Sequence, residues 1–145
     1  MTRSPSFMTA ILALVLVPLV AYESVAERQD AIADSIEAVA GTAGVTRVTH
    51  RIYRDWLNQG SHQYVGFKLE AGVRYFFVGA CDRDCGDLDF ELFEPDGSLV
   101  AHDTEADSTP VVSVMPEVDG SFRLKVTMFT CAIEPCEWGV RGYRR

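Results

Sequence analysis

From Ser61 onward, apolar and polar residues alternate with a period of two, the pattern of strands with one buried and one wet face. Val65, Phe67 and Leu69 alternate with Tyr64, Gly66 and Lys68. After a turn at Ala71-Gly72, Val73, Tyr75 and Phe77 alternate with Arg74, Phe76 and Val78. The next strand has Leu88, Phe90 and Leu92 on one face and Asp87, Asp89 and Glu91 on the other, and it stops at the turn Glu94-Pro95-Asp96-Gly97. Leu99 to Ala101 and Val111 to Met115 read as short strands. Phe122, Leu124, Val126 and Met128 mark a long one behind Asp119-Gly120, and the last runs from about Glu137 to Tyr143. Seven or eight short strands separated by turns predict an all-β antiparallel sandwich rather than a βαβ sheet.

Ahead of this region the period is different. Ile32, Ile36 and Val39 stand at helical spacing between early acids (Glu27, Asp30, Asp34) and the stop residues Gly41 and Gly44, which predicts a short amphipathic helix over 27–40. Residues 45–57 fit either state. Val45, Val48, Ile52 and Trp56 suit a helix, and the β-branched run Val45 to Thr49 tips the balance towards strand.

The N-terminus carries Arg3, then 14 nearly unbroken apolar residues from Phe7 to Val20, then small residues at Ser24-Val25-Ala26. This is the layout of a secretory signal peptide, with cleavage expected after Ala26. A membrane span wants about 20 apolar residues, and Pro18 interrupts this run, so no stable membrane insertion is expected after cleavage. The expected organisation is a signal peptide over 1–26, a helix and turn over 27–44 and a β-sandwich over 45–145. The expected location is periplasmic or secreted.

Composition adds an acidic bias. The 145 residues include 13 bases and 21 acids, a net charge of −8, which makes nucleic acid a poor partner. Twelve of the acids fall between Asp82 and Asp119, where Arg83 is the sole base. The C-terminal stretch 120–145 holds five bases and two acids and could lie against that block. A solvated face is the simpler reading of the acids.

Four cysteines, Cys81, Cys85, Cys131 and Cys136, form an even set in an exported chain and predict two disulfides. Pairing Cys81 with Cys85 and Cys131 with Cys136 is preferred, because each bridge closes a loop at the end of a predicted strand. Zinc competes poorly, since the spacings exceed the usual two-residue knuckle and no His stands near either pair.

Candidate chemistry centres on the acidic loop. Asp82, Asp84, Asp87 and Asp89, with Asp103 and Asp107 folding back from a later loop, offer the hard oxygen ligands that Ca²⁺ takes, although the spacing matches no EF-hand. The competing reading is a strand face of Asp87, Asp89 and Glu91 paired across the sheet with Arg123 and Lys125. Trp56 and Trp138, with Tyr64 and Tyr143, are candidates for stacking on sugar rings if any two share an exposed face, although aromatics at alternating strand positions are more often core. His50, His62 and His102 are scattered and read as sheet or surface residues. No nucleophile elbow, zinc-protease helix or phosphate loop is present in the sequence.

The stretches Leu69-Glu70-Ala71-Gly72-Val73-Arg74-Tyr75, Asp87-Leu88-Asp89-Phe90-Glu91-Leu92, Pro95-Asp96-Gly97 and Asp119-Gly120-Ser121-Phe122-Arg123-Leu124-Lys125-Val126 together resemble the bacterial pre-peptidase C-terminal domains. The resemblance covers roughly residues 60–130. It implies a small jelly-roll-like β-sandwich of a secreted protein, with a role in targeting or substrate binding and, in some members, calcium. The two cysteine loops depart from the general pattern of that family.

These features point to a non-enzymatic secreted binding module, calcium-supported if the acidic loop binds metal, with a protein or carbohydrate partner. The alternatives are a small hydrolase using a carboxylate pair and an inhibitor or accessory subunit of a secreted enzyme. A raised carboxyl would favour the hydrolase, and an open face with solvated acids the module.

Overall fold

The computed structural model describes residues 24–145, with side chains from residue 31 onward. Most of the expected signal peptide lies outside the described residues, and the expected cleavage point after Ala26 falls in the first turn of the helix α1 (Ser24–Thr42). Eight strands follow: β1 (Arg47–Leu57), β2 (His62–Leu69), β3 (Tyr75–Cys81), β4 (Cys85–Phe93), β5 (Leu99–Asp103), β6 (Val111–Val114), β7 (Gly120–Cys131) and β8 (Cys136–Arg144).

The strands form two four-stranded antiparallel sheets, ordered β1-β8-β3-β6 and β2-β7-β4-β5. Pairs β1/β8, β2/β7, β3/β6 and β4/β5 are each hydrogen-bonded, as if one long hairpin ribbon had been wound around a barrel. That is jelly-roll topology, and the all-β sandwich with a short N-terminal helix is the observed fold.

The main core lies between the sheets. Val65, Phe67 and Leu69 from β2, Leu88, Phe90 and Leu92 from β4, and Phe122, Leu124, Val126 and Met128 from β7 meet Tyr75, Phe77, Trp138 and Val140 from the first sheet. Gly79 on β3 lets the sheets approach closely, because a Cβ there would collide with the Phe90 ring and come within 3.1 Å of Pro110.

A second core lies outside the first sheet. Ile32, Ile36 and Ala40, one helical stripe, pack with Val78, Ala80 and Tyr143, and the partly buried Val39, Ile52 and Phe76 join them. Strands β3 and β8 are therefore covered on both faces, which is why burial is nearly continuous along each, and β3 is an unbroken apolar run. At Gly139 the helix comes so near that a Cβ would stand 3.1 Å from Ile32.

Residues 45–57 resolve as a strand from Arg47. Its register slips between Val48 and His50 and again between His50 and Tyr53. Extra residues at such slips interrupt the period of two, which is why the spacing Val48, Ile52, Trp56 imitates a helix.

The C-terminal bases do not lie against the acidic block as a group. Arg141 pairs with Glu37 on the helix, and Arg145 donates to the Ala43 carbonyl and sits over the Phe76 ring. They belong to the helix-covered sheet, whereas β4 belongs to the other. Lys125 alone among them meets an acid of β4, Glu91, at 2.6 Å.

Among the described residues, no helix is long and apolar enough to cross a membrane.

Candidate binding face

Both disulfides are the local ones, Cys81–Cys85 and Cys131–Cys136. Each staples one end of the sandwich where a strand turns. Within the first loop Asp82 acts as a structural cap, its carboxylate accepting the Asp84 N–H at 3.1 Å and the Glu137 N–H at 2.8 Å. Asp103 is engaged in the same way by the N–H groups of Glu105 and Val111. The Asp84 carbonyl accepts the Ala132 N–H, tying the two stapled loops together.

The five acids considered for calcium, Asp82, Asp84, Asp87, Asp89 and Asp103, are thus not gathered into a ligand set. Among the described residues no three His, Cys, Asp or Glu side chains are grouped to hold a metal. Two of them are nevertheless perturbed. Burial and then the Asp107 charge push the Asp87 carboxyl up, and one of its oxygens is buried without a hydrogen-bond partner among the described residues. Asp89 is pushed up by burial first and by its neighbours Asp87, Glu91 and Asp103. Both are on the outward face of β4, opposite the buried Leu88, Phe90 and Leu92. The nearby groove beside β5 is lined instead by His102, Asp103, Thr104, Glu105 and Val111.

The tryptophans do not form a shared platform, which corrects that expectation. Trp138 is completely buried between the sheets, because it points inward from a central strand and packs against Tyr53 with ring centroids 5.6 Å apart. Tyr143 is also fully buried, under the helix. Trp56 is half-exposed, but its neighbour in register is Glu137, a buried acid that faces away from the inter-sheet core, so Trp56 stands on the opposite side of the sheet from Trp138.

Tyr64 fulfils the aromatic expectation differently. It is 49% exposed on the outer face of the β2-β7-β4-β5 sheet, the face that α1 does not cover. Register fixes its surroundings. Row by row across β2, β7 and β4, His62 stands beside Thr127 and Asp89, Tyr64 beside Lys125 and Glu91, and Gly66 beside Arg123 and Phe93. Lys68 stands beside Ser121. The Arg123 guanidinium sits over the Tyr64 ring, 5.5 Å from its centroid. The His62 ring stands perpendicular to Tyr64 at 5.7 Å, and Phe93 lies 6.4 Å away.

Gly66 leaves a gap in this row, since a Cβ there would meet nothing within 4 Å. The sequence shows Tyr64, Gly66 and Lys68 sharing a face, but Arg123 and Phe93 join them only through pairing of β2 with β7 and of β7 with β4. Arg123 was expected to pair with an acid of β4. Its register partner there is Phe93, so it turns to the Tyr64 ring, while Lys125 takes Glu91 as expected. That partly exposed ion pair raises the Lys125 ammonium and contributes at most about 1 kcal/mol.

Beyond Lys68 the face runs into an open depression of 380 Å³ bordered by Leu69, Glu70, Asp119, Gly120 and Ser121. A second depression, of 320 Å³, opens round the corner at His50, Lys68, Glu70, Tyr75 and Arg144. His50 itself is packed among Phe67, Tyr75 and Phe77, with its imidazole bonded to Thr49 and to the Lys68 carbonyl.

The chain matches no family model and no curated protein. The class the structure defines is an eight-stranded jelly-roll sandwich with a helix over one sheet and the outer face of the other open among the described residues.

Proposed function

We propose that this protein is an exported, non-enzymatic binding module that takes its ligand on the outer face of the β2-β7-β4-β5 sheet. The observation that carries this reading is the half-exposed Tyr64 ring, with the Arg123 guanidinium over it, beside the gap at Gly66. Exposed aromatics with a fixed polar neighbour supply contact area at low entropic cost, whereas a purely structural face gains nothing by holding them in water. Two disulfides, which form and persist in oxidising compartments, support a periplasmic or secreted location. The resemblance to pre-peptidase C-terminal domains implies a role in targeting or substrate binding, which fits a binding module.

The raised carboxyls of Asp87 and Asp89 favour the carboxylate hydrolase as a second reading. A general acid also needs a substrate groove at its side, and the groove beside β5 is lined by neither of them.

The test is capture from the organism's own periplasm or medium, using immobilised mature protein and the triple variant Tyr64→Ser, Phe93→Ser, Arg123→Ser. Species retained by the native protein and lost by the variant are expected. Equal retention by both would overturn the assignment of this face.

A further inference from the structure

We infer that the ligand of this face is an acidic oligosaccharide, its rings lying along β2 from Tyr64 over Gly66 and its carboxylates on Arg123 and Lys68. This inference deepens the binding-module reading and rests on it.

Three features converge. Tyr64, Gly66 and Lys68 are consecutive outward positions of one strand, so ring, gap and ammonium span about 13 Å in a line. Arg123 is next to Gly66 in register and lies over the Tyr64 ring. With its guanidinium over the ring and no ion pair among the described residues, Arg123 keeps its fork of N–H donors open, which suits two-point binding of a carboxylate.

Charge supplies the second argument. The chain carries 21 acids against 13 bases, yet neither Arg123 nor Lys68 has an ion-pair partner among the described residues, whereas Lys125 on the same face is neutralised by Glu91. Two exposed cations left open beside an aromatic ring, on a chain this acidic, select an anion locally and repel one elsewhere.

The shape favours sugar over peptide. A bound peptide is held by strand pairing at a sheet edge or by pockets for its side chains. Here the row is ring, glycine and cation, flanked by the hydroxyls of Ser121 and Thr127. The part of the Tyr64 ring that Arg123 leaves uncovered, on a residue 49% exposed, can take the apolar C–H face of a pyranose, and the hydroxyls and His62 accept or donate to the sugar's edge.

Affinity electrophoresis in gels containing polygalacturonate, unsubstituted galactan or polyglutamate tests this directly. Retardation by polygalacturonate alone is expected, weakened about tenfold or more in Arg123→Gln and in Lys68→Gln. Arg123→Lys should also weaken it, because the charge remains while the fork is lost. Circular dichroism and melting temperature confirm that each variant is folded. Equal retardation by polyglutamate would overturn the inference in favour of unspecific anion binding. Retardation by galactan that survives Arg123→Gln would overturn the acidic-sugar assignment and leave the binding face standing. No retardation in any gel would also overturn it, while the capture experiment still judges the face by itself.

Discussion

The phenol of Tyr143 donates a hydrogen bond of 3.0 Å to the carboxylate of Glu37, joining the last strand to the helix. Arg141 reaches the same carboxylate. One helical acid thereby clamps two residues of β8, and the helix that covers the first sheet is held by polar contacts as well as by Ile32 and Ile36.

This clamp sets an alkaline limit. Burial first, and the Glu37 hydrogen bond second, push the Tyr143 phenol from 10.0 up to about 12. A pKa raised by folding gives a contribution that is complete below the unfolded value and lost as pH climbs through the folded one. Native protein should therefore lose stability between about pH 10 and pH 12. Tyr143→Phe should be weaker by about 1 kcal/mol at neutral pH and should lack this part of the alkaline loss. Urea unfolding of both proteins at neutral and alkaline pH checks it.

Acid should have the opposite effect at first. The carboxyls of Asp87 and Asp89 are raised by burial and by neighbouring acids, so their ionised forms oppose folding at neutral pH. The melting temperature should rise as pH falls from about 7 towards 4, and the rise should shrink in Asp87→Asn. Below that range Asp55 reverses the trend. Hydrogen bonds from Gln63 and the Trp56 N–H hold its carboxyl below the ordinary 3.8, and that stabilisation is lost on protonation. A melting temperature that falls steadily from pH 7 would contradict the assignment.

Gly79 should not tolerate a methyl group. Its Cβ would stand 2.8 Å from Phe90 Cε2 and closer still to the ring's tip, with Pro110 behind. Gly79→Ala should cost about 1–3 kcal/mol through overpacking. Gly66→Ala, with open space around it, should change stability by less than about 0.5 kcal/mol. Equal effects in urea unfolding would mean that the sheets do not meet at Gly79.

Each disulfide closes a short loop, with sequence separations of 4 and 5. Replacing either pair with serines should cost about 2 kcal/mol, as the chain-entropy model gives for such loops. Calorimetry of the two double variants measures this, and the fold should survive in both.

Much of the sandwich was legible because β4 and β7 alternate cleanly: Leu88, Phe90 and Leu92, then Phe122, Leu124, Val126 and Met128, are all fully or almost fully buried. Alternation misleads where a strand is covered on both faces. Phe76 and Val78 of β3 share a face with Arg74, and alternation by itself does not show that this face lies under the helix. Trp138 is buried for a different reason: it is on the inner face of β8, between the sheets, the core position that alternating aromatics usually take. Sequence order shows which residues share a strand face but not which strand lies alongside. Tyr64 was therefore visible as a candidate, while its neighbours Arg123, Lys125 and Phe93 depend on pairings across more than 25 residues of chain. Asp82 illustrates the converse. Its acidic company suggested a metal ligand, and its two backbone hydrogen bonds show a loop cap.

The central claim is that ligand meets the outer face of the β2-β7-β4-β5 sheet. Site-specific photo-crosslinking in the exporting cell tests it most directly, with a benzophenone side chain placed at Ser121 on that face or at Ser113, exposed on the opposite sheet. Covalent adducts from position 121 and none from 113 are predicted. Adducts from 113 alone would contradict the account.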